Sequence, residues 1–357
     1  MQMNENNAIQ IQHKILKPLI DDLRNIINNA RTNVATKANA AIIIMFWQLG
    51  ERINREVLGN KRAAYGQQIV SQVATQLQIE FGKKGFGTRS IRRMMQFAEY
   101  FPDTTIVSQV ATQLTWSHII EILPLKSDIQ REFYLTMASA ECWGRDLLRE
   151  KIDGMLFERT AISGKPYDLI RQELATLRND SAMTPDLVFK SPYFLEFTGL
   201  KGMYSERSLE DALVANLEQF ILELGAGFSF IERQKRMIID GEDFYLDLLF
   251  YHRRLHRLIA IELKKGRFKA AYKGQMELYL RWLEQNEMEP GEETPLGLLL
   301  CTEGNSEQIE LLQLDKSGIK VAQYLTELPP KEQLLKSLDS ARIRWENSLK
   351  FHDNSNE

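Results

Sequence analysis

Phe244-Tyr-Leu-Asp-Leu-Leu-Phe-Tyr251, then His252-Arg-Arg-Leu-His-Arg257, then Leu258-Ile-Ala-Ile-Glu-Leu-Lys264 is the stretch on which the reading of this chain turns. Two apolar and aromatic runs flank a basic segment, the pattern of two buried strands joined by a polar turn. Asp247 interrupts the first run, and Glu262 and Lys264 interrupt the second. Charges inside a central strand are costly unless they are paired or hold an ion. A tight turn at Arg254–Leu255 sets an antiparallel register with Asp247 directly opposite Glu262, their Cβ atoms about 4.5–5.5 Å apart. Strand alternation puts Lys264 on the face of Glu262 and sends Ile261 and Leu263 to the other. The expected result is two carboxylates and one ammonium at one spot. Carboxylate oxygens are the hard ligands that Mg²⁺ prefers, an ion that keeps waters and takes further contacts from phosphate. Such an ion polarises a phosphoryl oxygen and lowers the pKa of a bound water. A lysine beside it can orient that water or stabilise charge developing on phosphorus.

Around this pair the pattern is mixed. A helix over Leu209–Leu224 ends at Gly225 and precedes strands near Phe228–Ile239, Phe244–His252 and Arg257–Lys264. A helix over Phe268–Gln285, a strand at Leu296–Cys301, a helix near Glu307–Leu314 and a strand at Ile319–Tyr324 complete the region. The order α-β-β-β-α-β-α-β predicts an α/β layer. Upstream, from Ile11 to about Ser163, apolar residues recur at three- and four-residue steps, as in Ile15, Leu16, Leu19, Ile20, Leu23, Ile26 and Ile27, so that half reads as helical. Further helices are expected around 67–81, 89–100, 117–123, 129–140 and 145–159. Between them, Gly164, Pro166, Pro185, Pro192 and Gly199 punctuate a stretch with one short helical run, Tyr167 to Leu177. The expected organisation is a helical domain over 1–163, a linker over 164–207, an α/β domain over 208–330, and a C-terminal helix and tail over 331–357. One nonamer, Ile-Val-Ser-Gln-Val-Ala-Thr-Gln-Leu, occurs at Ile69–Leu77 and again at Ile106–Leu114. Without a third copy or wider similarity it reads as a local duplication rather than a solenoid.

Composition narrows the class. The 357 residues are 44% hydrophobic and 26% charged, as in soluble globular proteins, which argues against wholesale disorder and a fibrous architecture. The net charge of −3 gives no global sign of nucleic-acid binding, so any basic surface must be local. Two cysteines, Cys142 and Cys301, exclude a disulfide scaffold and a four-cysteine zinc site. Met1–Gln12 lacks the features of a signal peptide, and the longest apolar run, Ala40–Trp47, is too short to span a bilayer. A cytoplasmic protein with no membrane partner is expected.

Asp247 followed by Glu262-Leu-Lys264 resembles the Asp…(Asp/Glu)-x-Lys signature of the PD-(D/E)XK nuclease superfamily, and Gln275 with Tyr279 resembles its Gln-x-x-x-Tyr element. Leu222-Glu-Leu-Gly-Ala-Gly-Phe228, Arg233-Gln, Asp247-Leu-Leu-Phe-Tyr-His252, Ile261-Glu-Leu-Lys264 and Gly274-Gln-Met-Glu-Leu-Tyr279 are similar to the YhcG-like nuclease family. Leu114-Thr-Trp-Ser-His118, Arg131-Glu-Phe-Tyr134 and Phe157-Glu-Arg159 resemble that family's helical N-terminal domain. The likeness covers nearly the whole chain. Its one departure is Leu246, where the superfamily signature has proline. The resemblance implies a restriction-endonuclease-like α/β core with a mixed sheet beside a helical domain. It also implies a divalent metal (Mg²⁺, with Mn²⁺ as substitute) held by Asp247 and Glu262, and DNA as substrate. It leaves open a homo-oligomer and a restriction-modification or defence partner. A subunit that binds or assembles on nucleic acid, its nuclease fold silent or conditional on a partner, is the competing reading.

The remaining candidates each carry two readings. Gln275 and Tyr279 share a helix face; either they reach phosphate or the lysine, or Tyr279 is core and Gln275 caps a strand. Superfamily members often carry an acidic residue on the helix before the first strand, for which Glu210 and Glu218 are candidates. Basic residues outnumber acidic ones from Glu232 to Lys273; Arg233, Lys265 and Arg267 are expected to line a groove for the nucleic-acid backbone, unless this is a solvated face. In the helical half, Lys83, Lys84, Arg89, Arg92 and Arg93 lie within Phe81–Phe97 with no acidic residue, after or among Gly82, Gly85 and Gly87. A helix N-terminus there could meet phosphate, or the loop is a flexible connector. It has neither Walker A nor dinucleotide spacing. His118 reads as a packing residue, and His252 and His256 as phosphate or solvent contacts rather than metal ligands.

Overall fold

The computed structural model describes residues 37–55, 63–82, 85–303 and 306–338. The chain folds as two compact units that divide between Arg149 and Glu150. Among the described residues no helix is long and apolar enough to cross a membrane.

The first unit is helical. Its elements are α1 (37–55), α2 (Ala63–Phe81), α3 (Thr88–Tyr100), α4 (Thr104–Ala111), α5 (Trp116–Ile122), α6 (Asp128–Ala140) and α7 (Arg145–Asp153), whose last residues belong to the second unit. The apolar periodicity expected over Ile15–Ile27 lies outside the described residues. Ile53 of α1, Val70 and Ala74 of α2, and Ile91 and Met94 of α3 form one core. Gly50 makes the approach of α1 to α3 possible, because a Cβ there would stand 1.9 Å from the Met94 carbonyl oxygen. His118 closes a capping box at the start of α5: its Nδ1 accepts the Thr115 N–H at 3.0 Å, and its Nε2 lies 3.0 Å from the Trp143 carbonyl oxygen. Arg131 is buried, paired with Asp128 and stacked 3.8 Å from the Tyr100 ring centre. Both are cement, as the packing reading of His118 expects.

In the second unit, the helix expected over 145–159 breaks after Gly154, where Met155 takes φ +53° and α8 (Leu156–Arg159) begins. Then follow α9 (Tyr167–Asp180), α10 (Pro185–Val188), β1 (Tyr193–Phe194), α11 (Glu206–Ala215), α12 (Leu217–Leu224), β2 (Phe228–Ile239), β3 (Glu242–His252), β4 (Arg257–Arg267), α13 (Ala270–Asn286), β5 (Leu296–Glu303), α14 (Ser306–Leu311) and β6 (Ile319–Leu325). The six strands form a mixed sheet in the order β1-β6-β5-β4-β3-β2. β2, β3 and β4 pair antiparallel; β4, β5 and β6, and β1 with β6, pair parallel. The α/β order read from the sequence is present, with two differences: the stretch over 164–207 expected as a linker supplies a sixth strand, β1, which pairs with β6, and one expected helix is divided. The helix expected over Leu209–Leu224 is two helices, because Asn216 leaves helical geometry (φ −118°, ψ 41°) and its side-chain amide donates to the Ala212 carbonyl at 2.9 Å.

Both faces of the sheet are covered, which is why Leu258–Leu263 of β4 is buried at every position. One core packs Leu209, Leu213, Phe220 and Leu224 against Leu248, Phe250, Ile259 and Ile261. The other packs Met276, Tyr279, Leu280 and Leu283 of α13 against Leu249, Ala260, Leu299 and Cys301. Arg159 ties α8 to α12: its Nη1 lies 2.6 Å from Glu223 Oε1, its Nε donates to the Gly154 carbonyl, and its guanidinium stacks on Phe194. Residues 164–207 contribute α9, α10 and β1, and they bury Phe189, Tyr193 and Leu195.

α13 lies so close to β5 that a Cβ on Gly297 would stand 2.6 Å from Met276 Cγ. Gly297→Val is expected to destabilise the chain by about 1–3 kcal/mol through overpacking, and Gly297→Val with Met276→Ala to recover part of that loss. Urea unfolding of the three chains checks both.

Candidate active site

β3 and β4 hold the register read from the sequence. Their ladder runs from His252 opposite Arg257 to Leu248 opposite Ile261, with a loop of four residues, 253–256, in place of the tighter turn expected. Asp247 and Glu262 occupy the next place, and there the paired ladder has ended. The two carboxylates take backbone N–H groups instead. Asp247 N–H donates to Glu262 Oε1 at 3.3 Å, and Leu263 N–H donates to Asp247 Oδ2 at 2.8 Å. The β2–β3 ladder also skips Asp247: Arg233 pairs with Leu248 and Lys235 with Leu246. Between them Gln234 adopts φ +52°, a left-handed conformation costly for a residue with a side chain, and its Nε2 donates to Asp247 Oδ1 at 3.2 Å. Lys264 Nζ lies 2.7 Å from Glu262 Oε2 and 5.3 Å from the Tyr272 ring centre.

The electrostatics follow from burial. Glu262 is 2% exposed, and loss of water, reinforced by the Asp247 charge and opposed by Lys264, pushes its pKa up to about 7. Burial also raises Asp247, with Leu263 N–H and Lys264 pulling it back and Glu210 pushing it further up. Burial works against the charge of Lys264, but Glu262 and Asp247 outweigh it and hold the ammonium above its ordinary pKa. An open cleft of about 590 Å³ borders the spot, lined by Glu206, Arg207, Glu210, Asp211, Arg233, Gln234 and Asp247.

Residues 186–339 match the model of the YhcG PDDEXK nuclease domain, and residues 22–159 match that of the DUF1016 N-terminal domain. The YhcG protein of Escherichia coli (strain K12) is 30% identical over 349 residues, which take in 89% of this chain and 92% of that protein. The chain belongs to the YhcG nuclease family. Among solved structures, a repair endonuclease from Pyrococcus abyssi is similar at 21% identity over 37% of this chain and 50% of that one, with a TM-score of 0.26. EndoMS in a complex with double-stranded DNA is similar at 19% identity over 36% of this chain and 49% of that one, with a TM-score of 0.27. The chain thus spans about half the length of these solved structures.

The YhcG-family motif residues fall into distinct places. Asp247, Glu262 and Lys264 come together at the end of the ladder. Tyr279 is 2% exposed in the α13 core; Gln275 Nε2 donates to its hydroxyl at 2.7 Å, and that hydroxyl lies 3.5 Å from the Tyr245 carbonyl oxygen. Glu210 is buried and lines the cleft with Asp247, whereas Glu218 is exposed and does not line it. Arg233 is held by Glu210 at 2.6 Å and Asp211 at 2.5 Å. Lys265 Nζ donates to the Tyr204 carbonyl at 2.5 Å, and Arg267 pairs with Glu303 at 2.7 Å. Arg89, Arg92 and Arg93 lie on α3 of the first unit, while Lys83 and Lys84 lie outside the described residues. His256 is exposed in the 253–256 loop, but His252 is not the solvent contact expected: it is fully buried, packs on Phe228, and accepts the Leu255 N–H on Nδ1. Burial there drives its pKa down to about 4.

Sequence reasoning missed Glu206, and it quoted Gln234 only within the Arg233-Gln resemblance without a role. That role has no local signal, since the conformation of Gln234 arises only where β2 meets Asp247. Glu206 Oε1 accepts the Lys265 N–H at 2.7 Å, anchoring α11 to β4 beside Lys264. Its signal was Ser205, whose Oγ accepts the Ser208 N–H at 3.0 Å and starts the helix earlier than apolar periodicity alone suggests.

Among the described residues no group of three or more His, Cys, Asp or Glu side chains is gathered as a complete metal cage. A magnesium-type ion needs less: one or two protein carboxylates, the other positions going to water and phosphate. The donor set of Asp247 and Glu262 fits that requirement, because both are hard oxygen donors brought to one spot at the end of the β3–β4 ladder, where burial raises the pKa of each. Mg²⁺ or Mn²⁺ is therefore expected to raise the melting temperature of the full chain by binding the folded state. The rise should grow from pH 6 to pH 8, because below about 7 Glu262 keeps a proton that the ion must displace. Glu262→Gln should remove most of it. Differential scanning calorimetry at several pH values, with and without the ion, measures the effect.

Proposed function

We propose that this YhcG-family chain is a cytoplasmic, metal-dependent endonuclease that hydrolyses DNA phosphodiester bonds at the end of the β3–β4 ladder. The observation that carries the reading is the meeting of Asp247, Glu262 and Lys264 at one buried spot that borders an open cleft. Asp247 and Glu262 would hold Mg²⁺, for which Mn²⁺ would substitute. When bound, the ion supplies polarisation of a phosphoryl oxygen and acidification of a water.

The chain's own residues do the rest. Gln234 and the Leu263 N–H orient Asp247 through its two oxygens. Glu262 Oε2 holds Lys264 Nζ, so the ammonium stands with its proton in place beside the two carboxylates. From there it orients the attacking water or stabilises the charge that builds on phosphorus. Glu210 lines the cleft beside Asp247, and its ion pair with Arg233 fixes α11 against β2. Gln275 acts on Tyr279 rather than directly on the phosphate, so we assign this pair to support of the α13 side of the site. Arg233 on β2 and Lys265 and Arg267 at the end of β4 keep positive charge there, where a nucleic-acid backbone could exchange for their present partners.

Glu262→Gln or Asp247→Asn is expected to lower plasmid nicking by about a hundredfold or more, the scale on which loss of one preorganised electrostatic partner is felt. DNA affinity should stay largely unchanged, because the metal supplies chemistry and basic residues supply binding. Lys264→Ala should depress turnover far more than it moves the Mg²⁺ titration midpoint, since an ammonium is not a ligand for a cation. Nicking assays across a Mg²⁺ series, with an EDTA control and parallel anisotropy binding, decide. Loss of cleavage and binding together in a folded Asp247→Asn chain would count against the assignment.

A further inference from the structure

α3 is sharply two-faced. Ile91, Met94, Phe97 and Ala98 are buried against the rest of the first unit, while Arg89, Arg92 and Gln96 on the opposite side are exposed and Arg93 stands half-buried beside them. Positions 89, 92, 93 and 96 follow three- and four-residue steps, so these side chains form one row along the helix, which exposed Glu99 continues as its one acid at the C-terminal end. Among the described residues none of the three guanidinium groups, nor the Gln96 amide, has a hydrogen-bond or ion-pair partner. This sets them apart from the arginines of the sheet, where Arg233, Arg236 and Arg267 each hold a carboxylate. An exposed arginine row with no partner among the described residues, in a chain of net charge −3, is a local feature that the described packing does not explain.

Among the described residues the segment leading into this row is uncrowded. Gly82 and Gly85, before the helix, have φ of +93° and +94°, and a Cβ on either would meet nothing within 4 Å. The N-terminus of α3 begins at Gly87 with no side-chain cap and no acidic residue in its first turn, leaving its N–H groups to whatever lies ahead. The helix has 13 residues, long enough to lie in a DNA major groove, which is about 12 Å wide and admits one helix. The residue types match that groove: arginine pairs through two N–H groups with guanine, and glutamine pairs in the same way with adenine. A protein-docking face would be expected to present apolar anchors, and the fully exposed residues of α3 include none.

We propose that α3 is the helix with which this chain reads duplex DNA sequence, Arg89, Arg92, Arg93 and Gln96 contacting base edges rather than phosphates alone. The proposal rests on DNA being the substrate of the nuclease site, and it adds that cleavage is directed to preferred sequences by the helical unit.

The test is selection from a randomised duplex library on the full-length chain, run with Glu262→Gln to silence cleavage and repeated on the unsubstituted chain in EDTA. The expected result is enrichment of a short motif bound about tenfold or more tighter than its scramble, the discrimination that one good two-point base contact supplies. Arg92→Lys keeps the charge but loses the planar fork, and Gln96→Ala keeps the charge pattern. Each should lower the preference several-fold while leaving affinity for the scramble, and its salt dependence, close to those of the parent. Salt-dependent binding with no enriched motif, or a preference unmoved by both substitutions, overturns the base-reading role and leaves the nuclease reading intact. No binding to any duplex at low salt overturns this inference and the DNA substrate together.

Discussion

Buried Glu262 and half-buried Asp247, side by side, lose hydration and repel one another, and the α/β unit is organised around relieving that cost. A continuous antiparallel ladder would commit the N–H groups of Asp247 and Leu263 to strand partners. Where the ladder ends those donors turn to Glu262 and Asp247, so the end of strand pairing and the creation of the charged spot are one event. What the N–H groups leave uncompensated falls to Lys264 and the Gln234 amide. The compensation stays incomplete, which is why Glu262 sits at about 7 rather than in the ordinary carboxylate range.

The scaffold keeps that spot rigid. β4 is buried on both faces, so Glu262 and Lys264 ride on a strand held by neighbours on either edge and helices above and below. α11 is locked to the same strand through Glu206 and to β2 through Glu210 and Asp211. The left-handed Gln234 is the strained element of this arrangement, kept because its neighbours over-determine it. A site built on strands and one anchored helix keeps its geometry better than one built on loops.

The helical unit shows the opposite relation between motif and chemistry. The family motifs around His118 and Arg131, like Arg159 beyond the division, turn out to be caps, stacking contacts and buried ion pairs. The basic row on α3, by contrast, makes no hydrogen bond or ion pair among the described residues. The repeated nonamer makes a similar point about context. Its first copy is helical throughout inside α2, while the second leaves the helix after Ala111. Both copies nevertheless bury the same face, Val70 with Ala74 and Val107 with Ala111.

The amino-acid sequence by itself determined the two-part organisation into helical and α/β regions, the order along the chain of five of the sheet's six strands and the helices between them, and the register that brings Asp247 to Glu262 with Lys264 alongside. These were legible because alternation along a strand and recurrence along a helix are local, periodic properties. Only the tertiary structure decided which helix acid approaches the site, Glu210 rather than Glu218, since a break at Asn216 reorients the two halves of one apparent helix. It decided that His252 is buried, that Tyr279 is core, and that Gln234 turns toward Asp247. It also decided which arginines are spent on carboxylates and which remain open. The reason is common to all of these: the energy of a charge or a polar tip depends on partners brought in from distant segments, and no local period in the chain records who those partners are.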